Sequence, residues 1–187
     1  MTRDEAYALM TEWTESDNLR KHMLAVEAAM REYARKFGED EEKWAVVGLL
    51  HDMDYEKHPT KEEHPYVAVE YLKKQGVPEE ITRAILAHAE YTGVEPKTLM
   101  EKTLRAVDEL CGFITACVYV RPSRSIHDLK VSSVKKKMKQ SGFARAVNRE
   151  DITRGAELLG VTLEEHIQTV IDGMRKMADE LGLAGTA

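Results

Sequence analysis

Cysteine, proline and aromatic residues are scarce in this chain of 187 residues. It contains two cysteines, five prolines and 6% aromatic residues. Cys111 and Cys117 lie six positions apart on one predicted helix, and therefore on different faces of it. This spacing argues against an intrahelical disulfide, so we expect both residues to be reduced thiols in the core.

Long apolar runs and an excess of basic charge are also missing. No run approaches the roughly 20 apolar residues that a membrane span needs. The N-terminal segment MTRDEAYALMTEW lacks the layout of a signal peptide. A net charge of -6 argues against dedicated nucleic-acid binding, because phosphate contacts require a basic surface. We therefore expect a cytoplasmic protein without a membrane partner, and the sequence leaves its oligomeric state open.

The alternation typical of β-strands is absent as well, and helical periodicity runs through nearly the whole chain. Capping residues, glycines and prolines mark the helix ends. The sequence therefore predicts an all-α fold, a compact multi-helix bundle forming a single domain over residues 1–187. The predicted helices cover about 3–13, 17–37, 41–52, 65–75, 78–88, a long stretch from about Pro96 through Ile114, a short basic helix after Ser123, 149–159 and 163–181.

Several titratable residues fall on the apolar faces of these helices. His22 shares a stripe with Val26, His51 follows Val47 by four positions, and His88 follows Ala84 by four. Asp108 lies between Leu104 and Cys111 on the apolar side of its helix. A lone inward histidine is usually a core residue satisfied by one hydrogen bond. A buried carboxylate without a partner is strongly penalised.

A bound metal ion would satisfy these groups together. Three inward histidines and two inward-leaning carboxylates, Asp52 and Asp108, lie on four predicted helices of one small domain. Imidazole and carboxylate are natural ligands of divalent metals. Because Asp52 has two oxygens, it can flank one ion or bridge two. The presence of five ligand-type residues on inward faces therefore favours a metal site over a set of unrelated core residues.

The order His22, His51-Asp52, Asp108 resembles the HD-domain superfamily of metal-dependent phosphohydrolases over about residues 20 to 120. The segments His64-Pro65-Tyr66 and Ile85-Leu86-Ala87-His88 are similar to the histidine-bearing segments of members with two metals. The resemblance implies an HD metal-binding core over 18–120 and a C-terminal helical extension over 121–187 packed on it. It also implies a ligand set for one or two ions: His22, His51, Asp52, His64, His88 and Asp108.

The chain departs from the HD-GYP branch of cyclic-dinucleotide phosphodiesterases. That branch has a His-His pair and a Gly-Tyr-Pro sequence, whereas this chain has His88-Ala89 and Tyr91-Thr92-Gly93-Val94. The departure argues against that branch and its substrate. We expect a member of the HD/HDIG type.

The loop after the His51-Asp52 doublet carries further candidates. Asp54 and Lys57 are close enough in sequence to act, with Asp52, on a phosphate or a metal-bound water, and we predict these three as catalytic residues. Tyr91 is a weaker candidate, and His58 is expected to be solvated. His127 and His166 lie outside the resemblance and are predicted to be surface residues.

The basic segment 121–145 is predicted to be an amphipathic helix with Val131, Val134 and Met138 facing inward. If it folded back over the site, Arg121, Arg124 or Lys135 would neutralise a substrate phosphate.

These observations favour hydrolysis of a phosphate ester, on a nucleotide or small phosphorylated metabolite, through metal-activated water. One or two divalent ions per chain (Mn, Fe, Ni, Co, Zn or Mg) are expected as the cofactor. Two alternatives stay open. One is an HD-type di-iron oxygenase, because such proteins use a similar set of four histidines and two aspartates. The other is a nucleotide-binding regulatory module in which the ions are structural.

Overall fold

The computed structural model describes residues 1–185, and its architecture is all-α, as predicted. Within this range there are ten α-helices and two short 3-10 helices, at Glu90–Thr92 and Ile126–Asp128. In chain order the α-helices are α1 Arg3–Trp13, α2 Asp17–Phe37, α3 Glu41–Leu50, α4 Tyr66–Lys74, α5 Glu79–His88, α6 Leu99–Tyr119, α7 Val131–Met138, α8 Arg149–Leu159, α9 Leu163–Lys176 and α10 Ala178–Leu181.

Local capping signals set most helix ends where the sequence predicts them. The Ser16 hydroxyl accepts a hydrogen bond from the Leu19 amide at the start of α2. Gly38 ends this helix with a φ of 71°, in the left-handed region that glycine tolerates. Asn148 caps α8 through the amide of Glu150.

Three predicted boundaries are wrong. The helix predicted over 41–52 ends at Leu50, and His51 and Asp52 lie in the turn that follows it. α6 begins at Leu99 instead of near Pro96, because Thr98 and Glu101 form a capping box that fixes the first turn. The predicted helix over 163–181 is interrupted at Met177, whose φ of -117° and ψ of 23° are not helical. The chain therefore forms α9 and the short α10 in place of one helix.

The two longest helices, α2 and α6, form the centre of the bundle. α2 packs against α3, α6 and α9, and α6 packs against α5 and α8. Buried apolar side chains from α1 through α10 form one contiguous cluster. Both cysteines are buried and free, as predicted. Among residues 1–185, no helix combines the length and apolar character needed to cross a membrane.

Glycines allow two close helix contacts beside the site. A Cβ at Gly48 on α3 would lie 2.8 Å from the backbone of Glu27 on α2. A Cβ at Gly155 on α8 would lie 2.9 Å from the Cα of Ala106 on α6. Any larger side chain would force these helices apart. The absence of a side chain therefore sets the spacing of the helix pairs α2–α3 and α6–α8.

His166 is fully buried, so its predicted surface position is wrong, whereas His127 is exposed as predicted. The Tyr33 hydroxyl lies 2.6 Å from Nδ1 of His166, and Nε2 lies 2.9 Å from the carbonyl oxygen of Ala106. Because a carbonyl oxygen only accepts, Nε2 carries the proton and Nδ1 accepts from the tyrosine. Burial lowers the pKa of His166 to about 4. His166 is thus a neutral core residue with both ring nitrogens satisfied.

The basic segment follows the predicted amphipathic pattern. Val134 is buried, and Val131 and Met138 are partly buried against the core. The helix α7 packs against α6 and α9.

Candidate metal centre

Four helices and one loop bring the predicted ligands to a single region. α2 contributes His22 and α6 contributes Asp108. His51 and Asp52 lie directly after α3, and His88 is the last residue of α5. His64 lies in the loop before α4. The close approach of α2 and α3 at Gly48 brings the end of α3 next to His22.

The first group of ligand atoms comes from His22, His51, Asp52 and Asp108, and these atoms lie within 4.8 Å of one another. Nε2 of His22 is 2.9 Å from Oδ1 of Asp108 and 3.6 Å from Oδ2 of Asp52. Nε2 of His51 is 3.3 Å from Oδ2 of Asp52 and 3.6 Å from Oδ1 of Asp108. This group could hold one metal ion.

The second group consists of Asp52, His64 and His88. Nε2 of His64 and Nε2 of His88 lie 3.3 Å and 3.4 Å from Oδ1 of Asp52. The two oxygens of Asp52 therefore face different groups, with Oδ2 toward the first and Oδ1 toward the second. This is the geometry of a carboxylate that could bridge two ions.

Hydrogen bonds on the far side of each ring orient three of the histidines. Nδ1 of His51 lies 2.8 Å from the Gly48 carbonyl oxygen, and Nδ1 of His88 lies 2.5 Å from that of Ile85. Nδ1 of His64 lies 2.7 Å from Oδ1 of Asp54. Each acceptor fixes the proton on Nδ1 of the neutral ring, so that the lone pair on Nε2 points to the centre.

The helix ends add electrostatic attraction for a cation. His51 is the C-cap of α3, and His88 ends α5. A helix C-terminus carries partial negative charge, which favours positive charge nearby. Two such ends point at the same cluster as the two carboxylates.

The unpaired ring nitrogen of His51 provides a test of whether a metal ion fits. Nε2 of His51 is buried and has no hydrogen-bond partner among the described residues. A buried polar atom in this state is costly unless something else satisfies it. Imidazole nitrogens and carboxylate oxygens form the donor set that zinc, iron, manganese, cobalt and nickel accept. The residues present therefore fit a divalent ion.

The pKa shifts in the cluster also indicate a site that attracts positive charge. Burial opposes charge on His51, but the carboxylates of Asp52 and Asp108 outweigh it and raise the pKa of His51 well above its usual range. Burial also opposes charge on His64, yet Asp52 and Asp54 raise the pKa of His64 to about 9. The neighbouring imidazoles hold the pKa of Asp52 well below its usual range, against the effect of burial. The two carboxylates thus attract positive charge, which protons or metal ions can supply.

The other two predicted catalytic residues, Asp54 and Lys57, lie in different surroundings, and neither belongs to the pocket wall formed by the described residues. Asp54 is fully buried, and its two oxygens accept hydrogen bonds from His64 Nδ1 and from the Ala68 amide, at 2.7 Å and 2.8 Å. Lys57 is exposed and does not belong to the pocket wall formed by the described residues. Tyr91, the weaker candidate, is part of the wall, and its hydroxyl donates to the His64 carbonyl oxygen.

A pocket of about 710 Å³ opens beside the cluster. Its wall includes ligand side chains, the tyrosines Tyr55 and Tyr91, and residues of α8. Sequence reasoning missed the two arginines of this wall, Arg105 and Arg154. Arg105 lies three residues before Asp108, one turn away on the same helix face, which is the signal that could have found it. Arg154 lies on α8, outside the resemblance, and only the tertiary packing brings it to the pocket.

The two arginines are already engaged. The Arg105 guanidinium donates to the carbonyl oxygens of Ala87 and Val94, and so links α6 to the end of α5. Arg154 pairs with Asp151 on its own helix and lies 3.7 Å from Glu90 across the pocket mouth. The first arginine holds the wall together, and the second lies at the entrance.

The basic segment does not fold over the pocket. Arg121 pairs with Asp128, and Lys135 pairs with Glu164. Arg124 is exposed. None of these three residues belongs to the pocket wall within the described part of the chain, so the condition for a phosphate contact, which the sequence left open, is not met.

Comparison with known proteins agrees with this geometry. The family model for the HD domain matches residues 19–112, half of the chain. Ribonuclease Y of Oleidesulfovibrio alaskensis is 32% identical over 98 residues, which are 52% of this chain and 18% of that protein. Ribonuclease Y of Nitratidesulfovibrio vulgaris and of Lawsonia intracellularis are each 33% identical over 98 residues, covering 18% and 19% of those proteins.

The chain thus matches less than a fifth of the length of these curated relatives. No solved structure matches it. The family match covers His22, His51, Asp52, His64, His88 and Asp108. The chain belongs to the HD domain family, which is part of the superfamily of metal-dependent phosphohydrolases.

Proposed function

We propose that this protein hydrolyses a phosphate ester, on a nucleotide or another small phosphorylated metabolite, with the help of two divalent ions. The observation that carries the proposal is the position of Asp52. Its two oxygens lie between two groups of histidine and aspartate ligands, at the wall of a pocket of about 710 Å³. A cavity of this size fits a nucleotide.

His22, His51, Asp52 and Asp108 would hold one ion, and Asp52, His64 and His88 the other. When bound, such ions supply Lewis acidity, which lowers the pKa of a coordinated water to about 7 and stabilises charge on the phosphoryl oxygens. The protein's part is to fix the ligand geometry. The hydrogen bonds from Nδ1 of His51, His64 and His88 perform this task.

Charge in the pocket wall supports a role for the ions in substrate binding. Counting only residues 1–185, two guanidinium groups face six carboxylates there: Asp52, Glu90, Glu95, Asp108, Glu109 and Asp151. Both arginines are paired with other groups. Even with the proton that His64 can carry, the wall holds more carboxylates than cations, so a phosphate dianion would meet net repulsion there without additional positive charge. Two divalent ions supply four positive charges and remove the repulsion.

The acidic wall also favours a small substrate over a long polyanion. A nucleic-acid strand brings many phosphates, and its binding requires a basic surface. The curated relatives are named ribonucleases, which supports a nucleotide phosphoester as the bond that is cleaved. We therefore favour a mononucleotide or another small phosphorylated metabolite.

We assign Asp54 a positioning role. It is buried and touches His64 instead of the pocket, so it acts on the second ion site through that ring. Asp52 is the residue that we place at the reaction centre. The role of Lys57 rests on its position in the sequence, and Lys57→Ala tests it by the rate of hydrolysis.

The test combines metal analysis with turnover. The purified protein should contain close to two ions per chain and release phosphate from small esters with Mn, Co, Ni or Mg. Asp52→Asn should lose both ions and hydrolysis, while Asp179→Asn, an exposed carboxylate on α10, should keep both. Hydrolysis that persists in Asp52→Asn at the rate of the unchanged protein would refute the proposal.

The same six ligands also fit the di-iron oxygenase alternative. Iron in anaerobically purified protein, a mixed-valent EPR signal and substrate-dependent oxygen uptake would favour that function. Tight nucleotide binding without turnover in any metal would favour the regulatory module.

A further inference from the structure

Two exposed tyrosines lie in the pocket wall beside the second ligand group. Tyr55 is 42% exposed and Tyr91 is 43% exposed. Both belong to the pocket wall, whereas the exposed Tyr119 and Tyr7 do not, within the described residues. Large aromatic side chains are usually buried, and a pair left open to a pocket is typical of a binding surface.

Both tyrosines are fixed to the same residue. The Tyr55 ring meets the His64 ring edge to face, with centroids 5.1 Å apart and an interplanar angle of 84°. The Tyr91 hydroxyl donates a hydrogen bond to the His64 carbonyl oxygen over 3.0 Å. Because His64 belongs to the second ligand group, both rings are held at a set distance from that group. A ligand that contacts the rings can therefore also reach the metal centre.

One face of the Tyr91 ring is covered by a lysine, and the rest of the side chain stays exposed. The Lys61 ammonium lies 5.6 Å from its centroid in a cation–π arrangement. The hydroxyl of Tyr91 is already used by His64, so recognition by this residue would come from the ring face. Ring faces stack on any base and discriminate little between them.

Resting on the function proposed above, we propose that Tyr55 and Tyr91 form an aromatic subsite for the flat heteroaromatic ring of the substrate. This ring is the base of a nucleotide whose phosphate lies at the metal centre. The subsite makes a nucleotide a better substrate than a sugar phosphate of otherwise equal structure. It accepts purines and pyrimidines alike, with a preference for the larger purines, because they stack more strongly.

The experiment compares AMP with ribose 5-phosphate on the metal-loaded full chain, by the rate of inorganic phosphate release. For the unchanged protein we expect kcat/KM for AMP to exceed that for ribose 5-phosphate by about tenfold or more. Tyr55→Leu and Tyr91→Leu should each lower this ratio several-fold, and the double variant should bring it to near one. Tyr55→Phe, which keeps the ring, should retain the ratio. Tyr119→Leu, which removes a ring 45% exposed at the end of α6, should leave the ratio unchanged.

A second measurement separates the subsite from the reaction. Adenosine has no phosphate, and saturation-transfer NMR with chelator-treated protein reports whether its base protons touch the chain. The signal should appear with the unchanged protein and fall in the two leucine variants. If no ester is hydrolysed with any metal, the proposed function fails, and the adenosine signal still decides the subsite. A ratio near one in the unchanged protein, or an adenosine signal that the leucine variants keep, would overturn the inference.

Discussion

Asp54→Asn replaces one oxygen in a side chain that does not reach the pocket, and yet it should weaken the binding of the second metal ion. Both oxygens of Asp54 are used, one by Nδ1 of His64 and one by the Ala68 amide. An asparagine has one oxygen and one NH₂ group at these places. It cannot accept from both partners.

Either orientation of the asparagine has a cost. If its oxygen faces Ala68, its NH₂ group faces His64, whose Nδ1 must then accept and whose proton moves to Nε2. That tautomer cannot bind a metal through Nε2. If the oxygen faces His64, the NH₂ group opposes the buried Ala68 amide and leaves a donor without an acceptor.

Loss of an outer-shell partner typically lowers metal affinity by about 10- to 100-fold, or about 1.4–2.8 kcal/mol. Here we expect the affinity to fall for the second ion alone. The first group, which includes His22, His51 and Asp108, makes no hydrogen bond to Asp54 within residues 1–185, the part of the chain that the structure describes.

The assay is a titration of metal-free protein with Mn²⁺, followed by calorimetry and by EPR of free Mn²⁺, so that two binding steps are resolved. Asp179→Asn serves as the matched control, since it makes the same chemical change on the surface. Equal weakening of both steps, or no change in either, would refute the assigned role of Asp54.

Three further predictions concern charge and packing. The pKa of His166 is lowered to about 4 from an ordinary 6.5, so the unfolded chain binds a proton that the folded chain excludes in that window. The free energy of unfolding should therefore fall by up to about 3 kcal/mol as pH drops from 6.5 to 4. Urea denaturation at several pH values measures this free energy, and it should depend less steeply on pH in His166→Gln. Gly48→Ala should lower stability by about 1–3 kcal/mol, because its Cβ would lie 2.8 Å from the Glu27 backbone, whereas Gly142→Ala, which has room, should keep its Tm. Inorganic phosphate should bind metal-loaded protein in a calorimeter and fail to bind chelator-treated protein; equal binding in both would contradict the charge argument.

Local signals explain why much of the fold was predictable from the sequence. Caps such as Ser16 and Asn148 act within a few residues of themselves, and they fix helix ends in almost any context. The start of α6 was missed because the interaction of Thr98 with Glu101 outweighs the tendency of Pro96 to begin a helix. The break at Met177 has no comparable local signal.

Helical periodicity also located part of the candidate site. It placed His22, His51, His88 and Asp108 on inward faces, and the structure brings all four to the cluster. His64 lies in a loop, where periodicity says nothing, and only the family resemblance indicated it. The prediction that His166 lies at the surface is wrong because its spacing of four residues from Val170 fits the buried stripe of α9.

Contacts between distant segments could not be read from the sequence. Arg154 reaches the pocket because α8 packs on α6 at Gly155, a contact that joins residues far apart in the chain. The role of Asp54 depends on a loop that turns back by ten residues to His64. Both features follow from tertiary packing, which residue spacing along a helix does not encode.

The division of the Asp52 oxygens makes the candidate ligands unequal in their tolerance to mutation. Loss of His64 or His88 leaves the first group complete, and loss of His22, His51 or Asp108 leaves the second group complete. Only Asp52 belongs to both groups identified within residues 1–185. Five positions can therefore fail one at a time and leave a whole site for one ion, whereas the carboxylate of Asp52 has no substitute.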